Sequence, residues 1–303
     1  EKFGASIIQN FTQAFEVLRQ AQDKLIQKGG GDENSEASRK SPLNQYSADM
    51  ENDLTLFEEE GLGNEEMARF RKMGPITQKE IEAVNEVLRT PYLSIGKTVV
   101  KFEDQFVEYI GVNHAVAVNS GTSGLHLCIK ALDIKDGDEV ITTPFSFIAS
   151  ANCILFERAK PVFVDIRDDT YNIDEDRIEE KITEKTKAIL PVHVFGYPCA
   201  MDKINKIARK YNLRVIEDAC EAIGAEINGK KIGSFGDAAV FAFYPNKQMT
   251  TGEGGMIVTN NEKISESCKS MRNQGRNSGV EWLSHDRLGY NYRLSEVSSA
   301  LGV

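Results

Sequence analysis

From residue 115 onward, seven β-prone runs alternate with segments of helical spacing, and this alternation constrains the fold more than any other feature of the chain. The runs lie at 115–118, 139–142, 161–165, 187–192, 213–217, 238–243 and 256–259. Strands that take turns with helices imply an α/β architecture, a mostly parallel sheet joined by crossover helices. Open sheets of this kind present ligand-binding groups where their strands end. The residues just after each run are therefore the ones to read for chemistry. No internal repeat interrupts the pattern.

Three of these strand ends carry chemistry. The run at 238–243 meets Pro245, then Asn246 and Lys247, then a glycine-rich turn at 252–255. A lysine is seldom buried without a partner. Placed where a buried strand opens into a site, it is a candidate Schiff-base former. By itself Lys247 also reads as an ordinary loop lysine. The run at 213–217 passes into Asp218, Ala219, Cys220 and Glu221. Pyridoxal phosphate (PLP) needs a carboxylate against its pyridine nitrogen, which keeps the ring protonated and able to accept electrons. Asp218 stands where a strand would deliver that group; a helix-capping aspartate is the alternative. The run at 115–118 leads into Asn119, Ser120, Gly121, Thr122, Ser123 and Gly124, and then into helical spacing at Leu125, Ile129 and Leu132. Glycine and hydroxyl residues opening a helix can hold a phosphate through free amides and the helix dipole. A plain Ser/Thr cap reads equally well. Neither a Walker loop nor a Gly-x-Gly-x-x-Gly fingerprint occurs.

Phosphate loop, carboxylate and lysine, in that chain order, resemble a fold-type-I PLP enzyme, and in detail the DegT/StrS-like sugar aminotransferases. Six ordered motifs carry the resemblance. They are Ser-Gly-Thr-Ser-Gly-Leu-His-Leu at 120–127, Thr-Pro-Phe-Ser-Phe-Ile-Ala-Ser-Ala-Asn at 143–152 and Pro-Val-His-Val-Phe-Gly-Tyr-Pro at 191–198. Glu-Asp-Ala-Cys-Glu-Ala-Ile-Gly-Ala at 217–225, the lysine run at 241–255 and Leu-Gly-Tyr-Asn-Tyr-Arg-Leu-Ser-Glu at 288–296 complete the set. The resemblance covers about Gly74 to Val303.

The resemblance implies a role for each position. Lys247 holds PLP covalently and then carries protons, and Asp218 pairs with the pyridine nitrogen. Gly121 and Thr122 bind the phosphate. Phe147 matches an aromatic that stacks on the cofactor ring, although it reads equally as a core aromatic. Asn291 matches an asparagine that reaches the cofactor phosphate of a neighbouring subunit, so the expected state is a homodimer with shared sites; an exposed turn asparagine is the alternative. His193 falls near the site, or is a satisfied structural histidine. Two positions depart from the family pattern. Ala242 replaces a serine that touches the phosphate in many relatives, with Asn246 a candidate substitute. Glu221 stands where many relatives carry glutamine or histidine. A carboxylate beside the cofactor's phenolate oxygen would be repelled unless protonated or turned toward a donor.

The implied activity is transamination of a nucleotide-linked keto-deoxysugar in polysaccharide or glycoconjugate synthesis. Its amino donor would be an amino acid, with glutamate expected. A sugar dehydratase of the same family would carry histidine in place of Lys247. A noncatalytic PLP-binding protein or inactive fragment is the rival from another class.

Composition limits the remaining possibilities. The net charge of −10 argues against nonspecific nucleic-acid binding. It also means that any site for an anionic nucleotide sugar must be locally basic. Five scattered cysteines, with no C-x-x-C pair, suit a reducing cytoplasm rather than a disulfide framework or a metal site. No apolar run approaches a membrane span, and no signal peptide is visible. Residues 1–72 fall outside the resemblance. Ile8, Phe11, Phe15, Leu18 and Leu25 form an apolar helical stripe ahead of Gly29, Gly30 and Gly31. A polar linker follows at about 32–48, then an acidic stretch. This extension is expected to have no catalytic role. The PLP-binding large domain is expected at 73–303, opening with a capping box at Thr77 and Glu80 ahead of a helix at 78–88. The chain starts at Glu1 and stops at Val303, inside an apparent helix from about Ser295, so a fragment lacking a small C-terminal domain is expected.

Overall fold

The computed structural model describes residues 76–276 and 284–303. The expected stripe, linker and acidic stretch of residues 1–72 lie outside the described residues. All seven anticipated strands are present: β1 (His114–Val118), β2 (Glu139–Thr142), β3 (Lys160–Phe163), β4 (Thr186–Ile189), β5 (Arg214–Asp218), β8 (Ala238–Ala242) and β9 (Gly255–Thr259). They form one sheet in the order β1-β9-β8-β5-β4-β2-β3. Every pairing is parallel except the two made by β9, which runs antiparallel to both β1 and β8. The expected α/β architecture with a mostly parallel sheet is therefore what the chain adopts.

Strand boundaries differ from expectation by a few residues. β4 was expected at 187–192 but ends at Ile189, just before Pro191, which has no N–H to donate to a ladder. A second, two-stranded sheet was not anticipated. β6 (Glu226–Ile227) and β7 (Lys230–Lys231) pair across Asn228 and Gly229, whose φ values of 51° and 77° are the left-handed pair of a tight hairpin turn.

The sheet is buried on both faces, which is why its strands read as nearly continuous apolar runs. Alternate residues point to opposite sides. Ala117, Ile141, Ile189, Val215, Phe241 and Val258 enter one core. Val116, Val140, Ala188, Ile216, Val240 and Ile257 enter the other. Helices α2 (Lys97–Ile110) and α5 (Met201–Tyr211) cover the first face through Phe102, Phe106, Met201 and Ile204. Helices α3 (Gly121–Ala131), α4 (Ala149–Phe156) and α6 (Glu262–Arg272) cover the second through Leu125, Ile129, Ile154, Ile264 and Cys268. The layers make a three-tier sandwich with the strand ends left open along one edge.

The remaining helices brace this unit. Helix α1 (Gln78–Leu88) starts at Thr77 with the anticipated capping box, Glu80 reaching back to the Thr77 N–H at 2.7 Å. Helix α7 (Glu296–Gly302) starts at Ser295, and its first residue caps a different helix. The Glu296 carboxylate accepts from Gly96 N–H at 2.9 Å and Thr98 N–H at 2.8 Å, satisfying amides at the start of α2. Among the described residues no helix is long and apolar enough to cross a membrane.

Helix α3 lies unusually close to the sheet because it has glycine at the contact. A Cβ on Gly124 would sit 2.6 Å from Val240 Cγ1 and 3.4 Å from Val118 Cγ2. Neither valine can yield without disturbing a strand. Gly124→Ala is therefore expected to lower stability by about 1–3 kcal/mol through overpacking, even though alanine is the better helix former. Denaturant unfolding of the variant is the check; unchanged stability would mean that α3 can lift from the sheet freely.

Candidate active site

The carboxyl edge of the sheet opens into a cavity of about 570 Å3. Each wall is a strand end. β1 delivers Ser120, Gly121 and Thr122; β2 delivers the segment from Pro144 to Phe147; β4 delivers His193 and Phe195. β5 delivers Asp218, Cys220 and Glu221, and β8 delivers Ala242, Tyr244, Asn246 and Lys247. The residues singled out from the sequence at 121, 122, 147, 218, 221 and 247 thus converge on one cavity, although they span 127 positions of the chain (247 − 121 + 1).

At the β1 end, Ser120 is the N-cap of α3, its hydroxyl accepting from the Ser123 N–H at 3.1 Å. The capped-helix and phosphate-loop readings are therefore compatible. The amides of Gly121 and Thr122 belong to the helix's first turn, where no intrahelical carbonyl is available. Two glycines of this corner also have no room for side chains. A Cβ on Gly121 would lie 2.8 Å from Ala242 Cβ and 3.0 Å from Cys220 Sγ. A Cβ on Gly255 would lie 2.9 Å from the Gly121 nitrogen. At Gly121 this corner offers a ligand bare backbone, with the Ser120 and Thr122 side chains beside it.

Asp218 is buried at the end of β5. Its Oδ2 accepts from Ser150 Oγ at 2.6 Å and its Oδ1 from the Cys220 N–H at 3.2 Å. Burial, with Asp218 alongside, pushes the Cys220 thiol well above its ordinary value, so this cysteine stays a neutral wall. Lys247 reaches in from the turn after β8. Its Nζ lies 2.8 Å from Glu221 Oε1. The other Glu221 oxygen accepts from the Phe195 N–H at 3.1 Å. The acid whose repulsion was in question is thus turned toward two donors. Phe195 and Gly196 hold left-handed φ values of 51° and 87°, and a Cβ on Gly196 would lie 2.9 Å from the Glu221 carbonyl oxygen.

Several expectations are refined. Phe147 is 77% exposed at the cavity mouth, so it is not a core aromatic. Asn246 lines the cavity near Ala242, while Asn291 does not line it. Asn291 is exposed, its carbonyl accepting from Asn119 Nδ2 at 3.4 Å. His193 is fully buried and satisfied, with Nδ1 accepting from the Cys199 N–H at 3.0 Å and Nε2 3.2 Å from Glu217 Oε2. The charged lining of this cavity is mostly acidic. Among the described lining residues Asp218, Glu221 and Glu253 face Lys247 as the single lysine or arginine. Ser146, Ser150 and Glu253 were not singled out from the sequence. Ser146 and Ser150 sit one helical turn apart inside a quoted motif, and that spacing was the available signal.

Glu217, next to Asp218, faces the other way. Its side chain is fully buried and accepts from the amides of Gly233 at 2.9 Å, Phe235 at 2.8 Å and Gly236 at 2.7 Å. Burial works to raise its pKa, but the His193 imidazole and the Gly233 and Gly236 amides outweigh it and hold the carboxyl below the usual range.

The cavity's contents suit PLP. The glycine corner leaves amides for a phosphate, Asp218 is an acceptor held from behind, and Lys247 supplies a primary amine. Comparisons with known proteins agree. Residues 75–303 match the model of the DegT/DnrJ/EryC1/StrS aminotransferase family. GDP-perosamine synthase of Escherichia coli O157:H7 is 44% identical over 229 residues, covering 75% of this chain and 63% of that protein. The UDP-4-amino-4,6-dideoxy-N-acetyl-beta-L-altrosamine transaminase of Campylobacter jejuni is 44% identical over 232 residues, covering 75% and 61%. The crystal structure of NtdA from Bacillus subtilis, with bound cofactor PMP, superposes with a TM-score of 0.70 at 34% identity, covering 77% of this chain and 53% of that one. The chain spans about three-fifths of the length of the curated relatives it matches.

The Glu217 cluster generates a stability prediction. Glu217→Gln replaces an all-acceptor carboxylate with a group whose NH2 faces backbone donors. The expected loss is about 3 kcal/mol at neutral pH. A depressed folded pKa contributes stability that is present above the ordinary carboxyl value, about 4.3, and is lost as pH falls through the folded value. The gap between wild type and variant is therefore expected to narrow on acidification below about pH 4. Urea unfolding at several pH values tests this, and a gap that widens with acid would contradict it.

Proposed function

This chain belongs to the DegT/DnrJ/EryC1/StrS aminotransferase family, and on that premise we propose that it moves an amino group onto a nucleotide-linked keto-deoxysugar, with PLP as cofactor and glutamate as donor. The observation that carries the proposal is the convergence of Gly121, Thr122, Asp218 and Lys247 on one cavity. Relatives named for amines linked to GDP or UDP support a nucleotide-sugar substrate. Polysaccharide or glycoconjugate synthesis in the cytoplasm is the corresponding setting. Residues 73–303 are the catalytic large domain in this proposal, and residues 1–72 stand outside it.

When bound, PLP supplies an electrophilic carbon for amines and a ring that accepts an electron pair. The protein supplies everything else. The Gly121 and Thr122 amides and the dipole of α3 hold the phosphate. Asp218 would face the ring nitrogen and keep its proton in place. Phe147, exposed at the mouth, would cover the ring. Lys247 would supply the amine that anchors the cofactor and the base that moves a proton at the substrate carbon. Glu221 holds the Lys247 ammonium at 2.8 Å, so the amine has a defined resting place when it is free. Asn291 is exposed outside its own chain's cavity, which suits the homodimer in which it reaches the neighbouring subunit.

The test is the glutamate half-reaction, followed by a screen of nucleotide-linked keto sugars. Asp218→Asn is expected to bind PLP yet slow conversion to the pyridoxamine form by about 3–4 kcal/mol in barrier, the scale of removing a strong electrostatic stabiliser. Stopped-flow absorbance reads that step. An unchanged rate would remove Asp218 from its proposed role. Failure of glutamate and other amino acids to convert the cofactor in the wild type would remove transamination itself.

A further inference from the structure

Behind Asp218 lies a pair of serines that the proposed mechanism does not use. Ser150, in the first turn of α4, is 2% exposed and places its Oγ 2.6 Å from Asp218 Oδ2. Ser146 Oγ lies 2.7 Å from Ser150 Oγ and borders the cavity. The hydrogens can be assigned by elimination. A carboxylate has no hydrogen to donate, so Asp218 accepts on both oxygens, from Ser150 and from the Cys220 N–H. Ser150 must then give its hydrogen to Asp218. The contact between the two hydroxyls is therefore filled by the hydrogen of Ser146.

We propose that Ser146 and Ser150 form a one-way hydroxyl relay that fixes the Asp218 carboxylate in its plane and in its charged form, making Ser150 a positioning residue for the ring-nitrogen partner. The inference rests on the reading of Asp218 as the group that faces the cofactor's pyridine nitrogen. Three constraints make the relay directional. Ser150 is too deeply buried to exchange its partner for bulk water. Asp218 is pinned on its second oxygen by a backbone amide. Of the two serines it is Ser146 that borders the cavity, so the donors run from the cavity wall through Ser150 to the acid. A hydroxyl donating to a carboxylate is a charge-assisted bond, stronger than a neutral one. Deleting it leaves Asp218 with a single donor and freedom to rotate.

The experiment uses PLP labelled with 15N in the ring, bound to the wild-type protein and to variants, and reads the nitrogen chemical shift at one neutral pH. Wild type is expected at the protonated position. Ser150→Ala is expected to move the resonance toward the unprotonated position and to slow the glutamate half-reaction about tenfold. Ser150→Thr, which keeps the hydroxyl, is expected to return both to wild-type values. Ser146→Ala is expected to move the resonance in the same direction by less. Thermal melting is measured alongside, and a merely structural serine would change melting without changing the resonance. If Ser150→Ala leaves the resonance in place while Asp218→Asn moves it, the relay is overturned and the Asp218 assignment stands. If Asp218→Asn leaves it in place as well, the assignment falls and takes the relay with it. Should Ser150→Ala fail to fold, Ser146→Ala decides: a displaced resonance supports the relay, and a wild-type resonance overturns it.

Discussion

The last two residues of β5 do opposite things with the same charge. Pleating sends Glu217 to one side of the strand and Asp218 to the other. Glu217 closes the back of the site by gathering the amides of 233–236 and the His193 ring around a buried carboxylate. Asp218 faces the cavity. A register shift of one residue would exchange them, placing the acid with four donors in the cavity and the other among unsatisfied amides. The hydrogen bonds of Glu217 thus fix the direction in which Asp218 points. The path from β4 is tied to the same place, since the His193 N–H donates to the Asp218 carbonyl at 3.0 Å and the Asp218 N–H to the Pro191 carbonyl at 2.9 Å.

The cavity is built from strand ends rather than from a continuous segment, and that explains its electrostatics. Its charged lining is mostly acidic, yet the proposed cofactor carries a phosphate. The fold resolves this by separating the two kinds of group. Acids cluster where the proposed mechanism would hold an amine or a protonated ring nitrogen, at Asp218 and Glu221. Backbone amides open the helix where it would hold a phosphate, at Gly121 and Thr122. The tight packing of Gly121 against Ala242 and Cys220 leaves no room for a side chain at that position.

Much of this was legible in the sequence, for reasons that are local. Seven strand positions followed from apolar runs, because a sheet buried on both faces must be apolar throughout. Lys247, Asp218 and the Gly121–Thr122 corner were candidates by their places at strand ends, and the resemblance to a family singled them out. What was not legible required three dimensions. Glu217 looked like one acid in a row, and only the fold shows it surrounded by donors. Ser150 carries no sign in the sequence of its place beside Asp218, and only the fold brings its hydroxyl onto that acid. The β6–β7 hairpin was different: Asn228 and Gly229 carry the signal of a tight turn, and it was overshadowed by the longer runs on either side. The placement of Phe147 at the cavity mouth could not be read from a motif that suits a buried ring equally well.

The central claim is that Lys247, among all the lysines of this chain, is the one that faces the cofactor. Reduction of the PLP-loaded protein with borohydride, followed by peptide mapping, tests it most directly. The account predicts a single phosphopyridoxyl group on the peptide containing Lys247. A label on any other lysine, or none in a protein that visibly holds PLP, would contradict it.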